Sequence, residues 1–159
     1  MKRPISIIIN NIILIILLQS AHGQDTAPNA AQDKSISADS SQALRVEASI
    51  LPYIESARKT YPEAKARYLE GLPEGSVFYI TTRLYDLHGR FELVFIRVRN
   101  IAEGQITGMI SNRISTVKGY QEGDIYTFPE KDLVDWTILN PDGGEEGNAV
   151  GKFLDTIKL

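Results

Sequence analysis

"SVFYITTRLYDLHGRFELVFIRVR", Ser76 to Arg99, is the stretch that decides the fold of this chain. Its apolar residues recur at every second position, which is the period of a strand and not of a helix. Phe78, Ile80, Thr82 and Leu84 share one face of the first half. In the second half Val94, Ile96 and Val98 share one face, and Phe91, Leu93 and Phe95 the other. A strand that is apolar on both sides is covered on both sides, so Phe91 to Val98 is expected in mid-sheet. "DLHG" between the halves reads as a hairpin connection.

The alternation continues downstream. "NIAEG" turns the chain into "QITGMIS", "QEG" leads into "DIYTFP", and "LVDWTIL" makes a fifth strand. "NPDG" (Asn140 to Gly143) is a turn signal, with Pro141 presetting the first central position and Gly143 supplying the positive φ that closes it. Gly144, Glu145 and Glu146 then form a short returning edge or loop, where charge discourages pairing with strangers. Val150, Phe153, Leu154 and Ile157 fall on one face of a helix, with Asn148 as its cap and Gly151 as a weak point.

Upstream the period changes. Leu44, Leu51, Ile54, Ala57, Tyr61, Ala64 and Tyr68 recur at helical spacings, and "GLPEG" ends the run. Pro52 and Pro62 interrupt it, and a break or kink is expected at Tyr61–Pro62. The fold class expected is α+β: an N-terminal helical segment packed on a curved antiparallel sheet of about five strands, with a short C-terminal helix.

The first residues, "MKRPISIIINNIILIILLQSAHGQD", place Lys2 and Arg3 before an apolar run and a small-residue exit at Ala21 to Gly23. That order is a secretory signal over residues 1–23, implying a periplasmic or secreted bacterial protein. The run from Ile5 to Leu18, interrupted by Asn10 and Asn11, is shorter than the roughly 20 residues of a comfortable membrane span. An uncleaved anchor is the competing reading. Residues 24–43 are small and polar, too poor in apolar surface to offset their ordering entropy, and read as a disordered tether. A single domain over 44–159 remains.

Removing Lys2 and Arg3 from 17 basic residues, and none of 20 acidic ones, takes the formal charge from −3 to −5. Nucleic acid and, after signal cleavage, anionic membrane are therefore disfavoured as partners. The chain has no cysteine, and beyond the signal His88 is its one histidine. A thiol nucleophile, a Cys-based zinc site and a His-rich metal centre are excluded on composition, and no cofactor loop is expected.

"EEGNAVGK" imitates a phosphate loop but carries Glu146 and Phe153 where the pattern needs Gly and Ser or Thr. Asn140, Asp142 and Gly144 likewise break a calcium-loop series, which leaves a looser oxygen site of Asp142, Glu145 and Glu146 against simple solvation. Asp86, His88 and Glu92 cluster around one hairpin and would suit acid–base work if they met. Glu92 shares parity with Val94, Ile96 and Val98, so it points inward and needs a donor such as an arginine. Trp136 reads as core, and Asp135, of opposite parity, as an acceptor for turn amides. Arg97 and Arg99, with Arg113 nearby, would meet an anion or an acidic residue of the chain itself.

The pieces "SARKTYPEAKARYLEGLP", "FELVFIRV", "ITGMISN", "GYQEGD", "LVDW" and "PDGGEEGNAVGKFLD" run in an order that resembles the YegJ-like bacterial proteins, domain-of-unknown-function family 2314. The resemblance covers about Glu55 to Thr156 and implies a compact α+β domain without an established activity. It carries over an acid to Glu92, an asparagine to Asn112, a glycine–acid pair to Gly123 and Asp124, and an acid–Trp pair to Asp135 and Trp136. Many relatives have proline where this chain has Ile114. The candidate binding residues are thus Glu92, Asn112, Asp135, Trp136, Glu145, Glu146 and Asn148, with no catalytic or metal-ligating residue assigned. The function expected is that of an exported, non-catalytic module binding a protein partner or small ligand. Two alternatives stand beside it: a periplasmic hydrolase using Glu92 and Asp135 as an acid–base pair, and a toxin-neutralising immunity-type protein.

Overall fold

In the computed structural model, which describes residues 41–157, a long helix lies against an open, six-stranded antiparallel sheet, and a short helix ends the chain. The signal, and the tether up to Ser40, lie outside the described residues. Helix α1 (Ser41–Glu70) begins inside the segment read as tether. Strands β1 (Val77–Tyr85), β2 (Phe91–Ala102), β3 (Gln105–Ile110), β4 (Ile125–Pro129), β5 (Leu133–Leu139) and β6 (Glu145–Gly147) follow, with α2 at Ala149–Thr156. The order across the sheet is β4-β3-β2-β1-β5-β6. β2 therefore lies mid-sheet, where its doubly apolar sequence belongs.

Three expectations need correction. The sheet has six strands and not five, because Glu145–Gly147, read as a returning edge or loop, takes the edge form and pairs with Thr137–Leu139. Helix α1 does not break at Pro62; it runs through both prolines. Pro52 and Pro62 face solvent, while Val46, Ile50, Ile54, Ala57, Tyr61 and Ala64 are buried in one stripe. Burial of that stripe offsets the roughly 3 kcal/mol that each interior proline costs. Leu51, taken for the inner face, is 52% exposed, and Ile50 occupies the buried phase instead.

The sheet is strongly curved, and the chain length shows why. Only Glu130–Asp132, a single 3-10 turn, joins β4 to β5, although β3, β2 and β1 stand between them in the sheet. A flat sheet would separate the two strands by about 19 Å, four spacings of about 4.8 Å, beyond the ~14 Å that four residue steps can reach. Two register shifts accompany the bend. Arg99 is the extra residue where β2 turns against β3, and Val134 the extra residue where β5 meets β1. At the first of these Gly108 allows the close approach, since a Cβ there would collide with the Arg97 carbonyl and the Ile96 side chain.

The concave face holds the main core: Phe78, Ile80, Leu84, Val94, Ile96, Ile106, Ile110, Phe128, Trp136 and Ile138, closed over by Ala57, Tyr61 and Ala64 of α1 and by Val117 of the β3–β4 connection. On the other face Val46, Ile50 and Ile54 from the first half of α1 pack with Val134 and with Val150 of α2. Helix α1 thus crosses the rim of the sheet beside β5. There the side chain of Arg58 donates from Nε to the Leu133 carbonyl at 2.9 Å and from Nη2 to the Lys131 carbonyl at 3.1 Å. An unpaired strand edge is covered by a guanidinium instead of another strand.

Candidate functional site

The expected site residues separate into two groups. Glu92 and Asn112 meet at the β3–β4 connection; Asp135, Trp136, Glu145, Glu146 and Asn148 meet where β5, β6 and α2 converge.

Glu92 opens β2 opposite Leu84 and is 2% exposed, inward as its parity requires. Its donors include backbone amides. Ser115 N–H donates at 3.0 and 3.1 Å, Thr116 N–H at 2.7 Å, Val117 N–H at 3.3 Å and the Ser115 hydroxyl at 3.0 Å. A carboxylate wrapped by successive amides replaces water with fixed dipoles. Asn112 continues the ladder where β3 has ended. Its Oδ1 accepts the Phe95 N–H at 2.8 Å, while Ser111 N–H donates to the Phe95 carbonyl at 2.8 Å. Both residues hold a loop in place.

Asp135 does the same for α2. It is 1% exposed, and its carboxylate accepts the Val150 N–H at 2.6 Å and its neighbour's, Trp136, at 2.8 Å. Burial pushes its carboxyl up to about 6, against the downward pull of the amides of Val150, Trp136, Ala149 and Gly151. Asn148 stands at the N-cap position but in the left-handed region, φ 55°, and makes no side-chain cap bond. The helix is capped from the strand beside it, which corrects the assignment of Asn148 as cap. Asn148 instead donates from Nδ2 to Glu145 at 3.3 Å.

Trp136 is 8% exposed, with its ring in the main core and its Nε1–H donated to the Thr60 hydroxyl at 3.0 Å. Gly147, φ 76°, lies against it; any Cβ would strike the Trp136 carbonyl and ring. The two glutamates of β6 face opposite ways, as strand alternation requires. Glu146 takes both ends of the Arg67 guanidinium at 2.7 and 3.0 Å and Asn140 Nδ2 at 3.1 Å, and these bonds draw its carboxyl down to about 2. Glu145 faces Lys152 at 3.4 Å. Asp142 accepts the Gly144 N–H at 2.8 Å within its own turn. The loose oxygen site is therefore not assembled, and among the described residues no group of three or more acidic or histidine side chains is placed to hold a metal.

Two further expectations turn on geometry. Glu92 lies opposite Leu84 and Asp135 opposite Thr81, and Leu84 and Thr81 point to different faces of β1. The acid and base of the hydrolase reading stand on opposite sides of the sheet and share no cleft. Asp86 accepts the backbone N–H groups of His88 and Arg90 at 2.9 and 3.1 Å and the Arg90 side chain at 2.8 Å, so it closes its hairpin instead of serving Glu92.

Three open concavities lie elsewhere. Two adjoining clefts of about 370 and 590 Å³ share Gly75, Ser76, Val77 and Arg97 at one end of the sheet. A third, of about 510 Å³, lies between α1 and the 130–132 turn. Tyr61, Pro62 and Leu133 supply its apolar lining; Arg58, Lys65, Glu130 and Lys131 supply its charge. From the sequence Tyr61 reads as part of the helical apolar stripe, Pro62 as a break or kink and Leu133 as strand, and none of the four charged residues stands out. The spacing of Arg58, Tyr61 and Lys65 along one helical face was a visible signal, but nothing local announces that Glu130 arrives against it from residues so distant in sequence. Comparison of the chain with family models, curated proteins and solved structures gives no match.

Proposed function

We propose that the chain is an exported, non-catalytic binding module of YegJ-like type, which takes a protein partner or a small ligand. The observation that carries this reading is the fate of its carboxylates. Glu92 and Asp135, the acid and base of the hydrolase reading, each hold a backbone segment through amide hydrogen bonds, whereas the clefts of about 590 and 510 Å³ lie over other residues. A group saturated by fixed donors is a poor proton carrier for an outside substrate. The acidic balance of the chain disfavours nucleic acid as the partner.

Affinity capture of the tagged protein from periplasm, with intact-mass measurement, tests the reading. A stoichiometric protein or a retained small molecule is the expected result. A partner lost as salt rises points to the toxin-neutralising form of the module, because screening weakens exposed charge pairs. Turnover of hydrolase substrates that disappears on substituting Glu92 or Asp135 would overturn it, as would a periplasm that yields no bound species.

A further inference from the structure

The 510 Å³ cleft beside α1 carries an excess of positive charge in an acidic chain. Glu130 is committed within it: Lys65 Nζ lies 2.8 Å from each carboxylate oxygen, and the Tyr61 hydroxyl donates at 3.0 Å. That pairing leaves Arg58 and Lys131 uncompensated among the lining residues, three cations against one anion, in a chain of formal charge −3. Asp132 follows Lys131 in sequence but does not line the cleft.

The rim is also built in advance. Arg58 grips the carbonyls of Leu133 and Lys131, which fixes the 130–132 turn against α1. Apolar surface from Tyr61, Pro62 and Leu133 lies between the charges.

We propose that this cleft binds a small organic anion, a carboxylate carried on a compact apolar body. The carboxylate answers the excess positive charge, and the apolar body covers the lining that a bare inorganic anion would leave unused. Two exposed cations draw such a ligand in and orient it without the cost of burying a full ion pair. The proposal rests on the reading of the protein as a binding module, and names the site and ligand class for it.

The test is a two-dimensional amide NMR titration of the ¹⁵N-labelled protein with phenylacetate and with its neutral isostere phenylacetamide. Phenylacetate is expected to move the amides of Lys65, Lys131 and Leu133, with the amide probe at least about ten-fold weaker. Lys131→Gln, at an exposed position, should weaken phenylacetate about five-fold, and Lys131→Arg should restore it. Equal binding of acid and amide, indifference to Lys131→Gln, or shifts confined to Ser76 and Val77 at the other clefts would each overturn the assignment. Stoichiometric capture of a partner together with a silent titration sinks the cleft and leaves the broader reading standing. A responsive titration with empty capture upholds the cleft and removes only the stably held protein partner.

Discussion

Burying a carboxylate in a small protein usually calls for a cation, yet Glu92 and Asp135 are held largely by main-chain amides. The choice makes each a pin for a segment with no regular partner of its own. Replacing Glu92 with alanine would take the acceptor from the part-buried amides of Ser115 and Thr116 and the buried amide of Val117, at about 1–3 kcal/mol for each one that water does not reach. The expected outcome is a loss of about 3 kcal/mol or more in urea unfolding, with faster hydrogen exchange confined first to residues 115–117. Asp135 adds a pH signature. Its carboxyl, 3.8 in the unfolded chain, rises to about 6 on folding, so the folded state binds the proton more tightly. The corresponding stability is fully present below pH 3.8 and is lost as pH rises through about 6, to the extent of about 3 kcal/mol. The unfolding free energy of the native protein, relative to Asp135→Asn, should therefore increase as pH falls from 7.5 to 4. A difference that stays flat over that window would show that burial does not control this group.

Among the elements, α1 departs furthest from its local propensities. Thirty residues with two interior prolines form one continuous helix because its buried stripe spans both faces of the sheet rim. Pro62→Ala restores the missing ladder bond and should raise the unfolding free energy by about 1 kcal/mol or more, measured by urea or thermal denaturation. A loss of stability would mean that the proline ring contributes packing that a methyl cannot. The short strand β6 is held differently. It has three residues, and its attachment depends on Gly147 meeting Trp136 and on the Arg67–Glu146 pair. Both partners of that pair are about two-fifths exposed, so the pair orients the hairpin more than it stabilises it, contributing no more than about 1 kcal/mol.

For the molecule as a whole, the curved sheet cannot close its own concave face. Ala57, Tyr61 and Ala64 of α1 complete the core that Phe78, Ile80 and Trp136 begin. A chain starting at residue 71 should therefore lose its cooperative unfolding transition and bind a hydrophobic dye, as an uncovered sheet face would. Retention of a sharp transition would show that the sheet and the 111–124 segment suffice. Much of this architecture was legible before folding. Alternation at Phe78–Leu84 and Phe91–Val98 defines the two central strands, and Glu92 turns inward by parity alone. Period 2 and period 3.6 are properties of neighbouring residues, and local sterics enforce them wherever the chain lies. The rest depended on groups brought together from far apart. Pro62 reads as a break until the sheet rim is seen to hold the helix, and Asn148 reads as a cap until Asp135 takes that role from the strand beside it. Arg58, Lys65 and Glu130 read as surface charge until curvature carries the end of β4 to α1. By itself the sequence determined which residues of the two central strands face inward and which residue types are missing from its chemistry. Only the tertiary structure decided which donors meet which acceptors, because hydrogen bonds and charge pairing across 65 or more residues are fixed by three-dimensional proximity and leave no local trace.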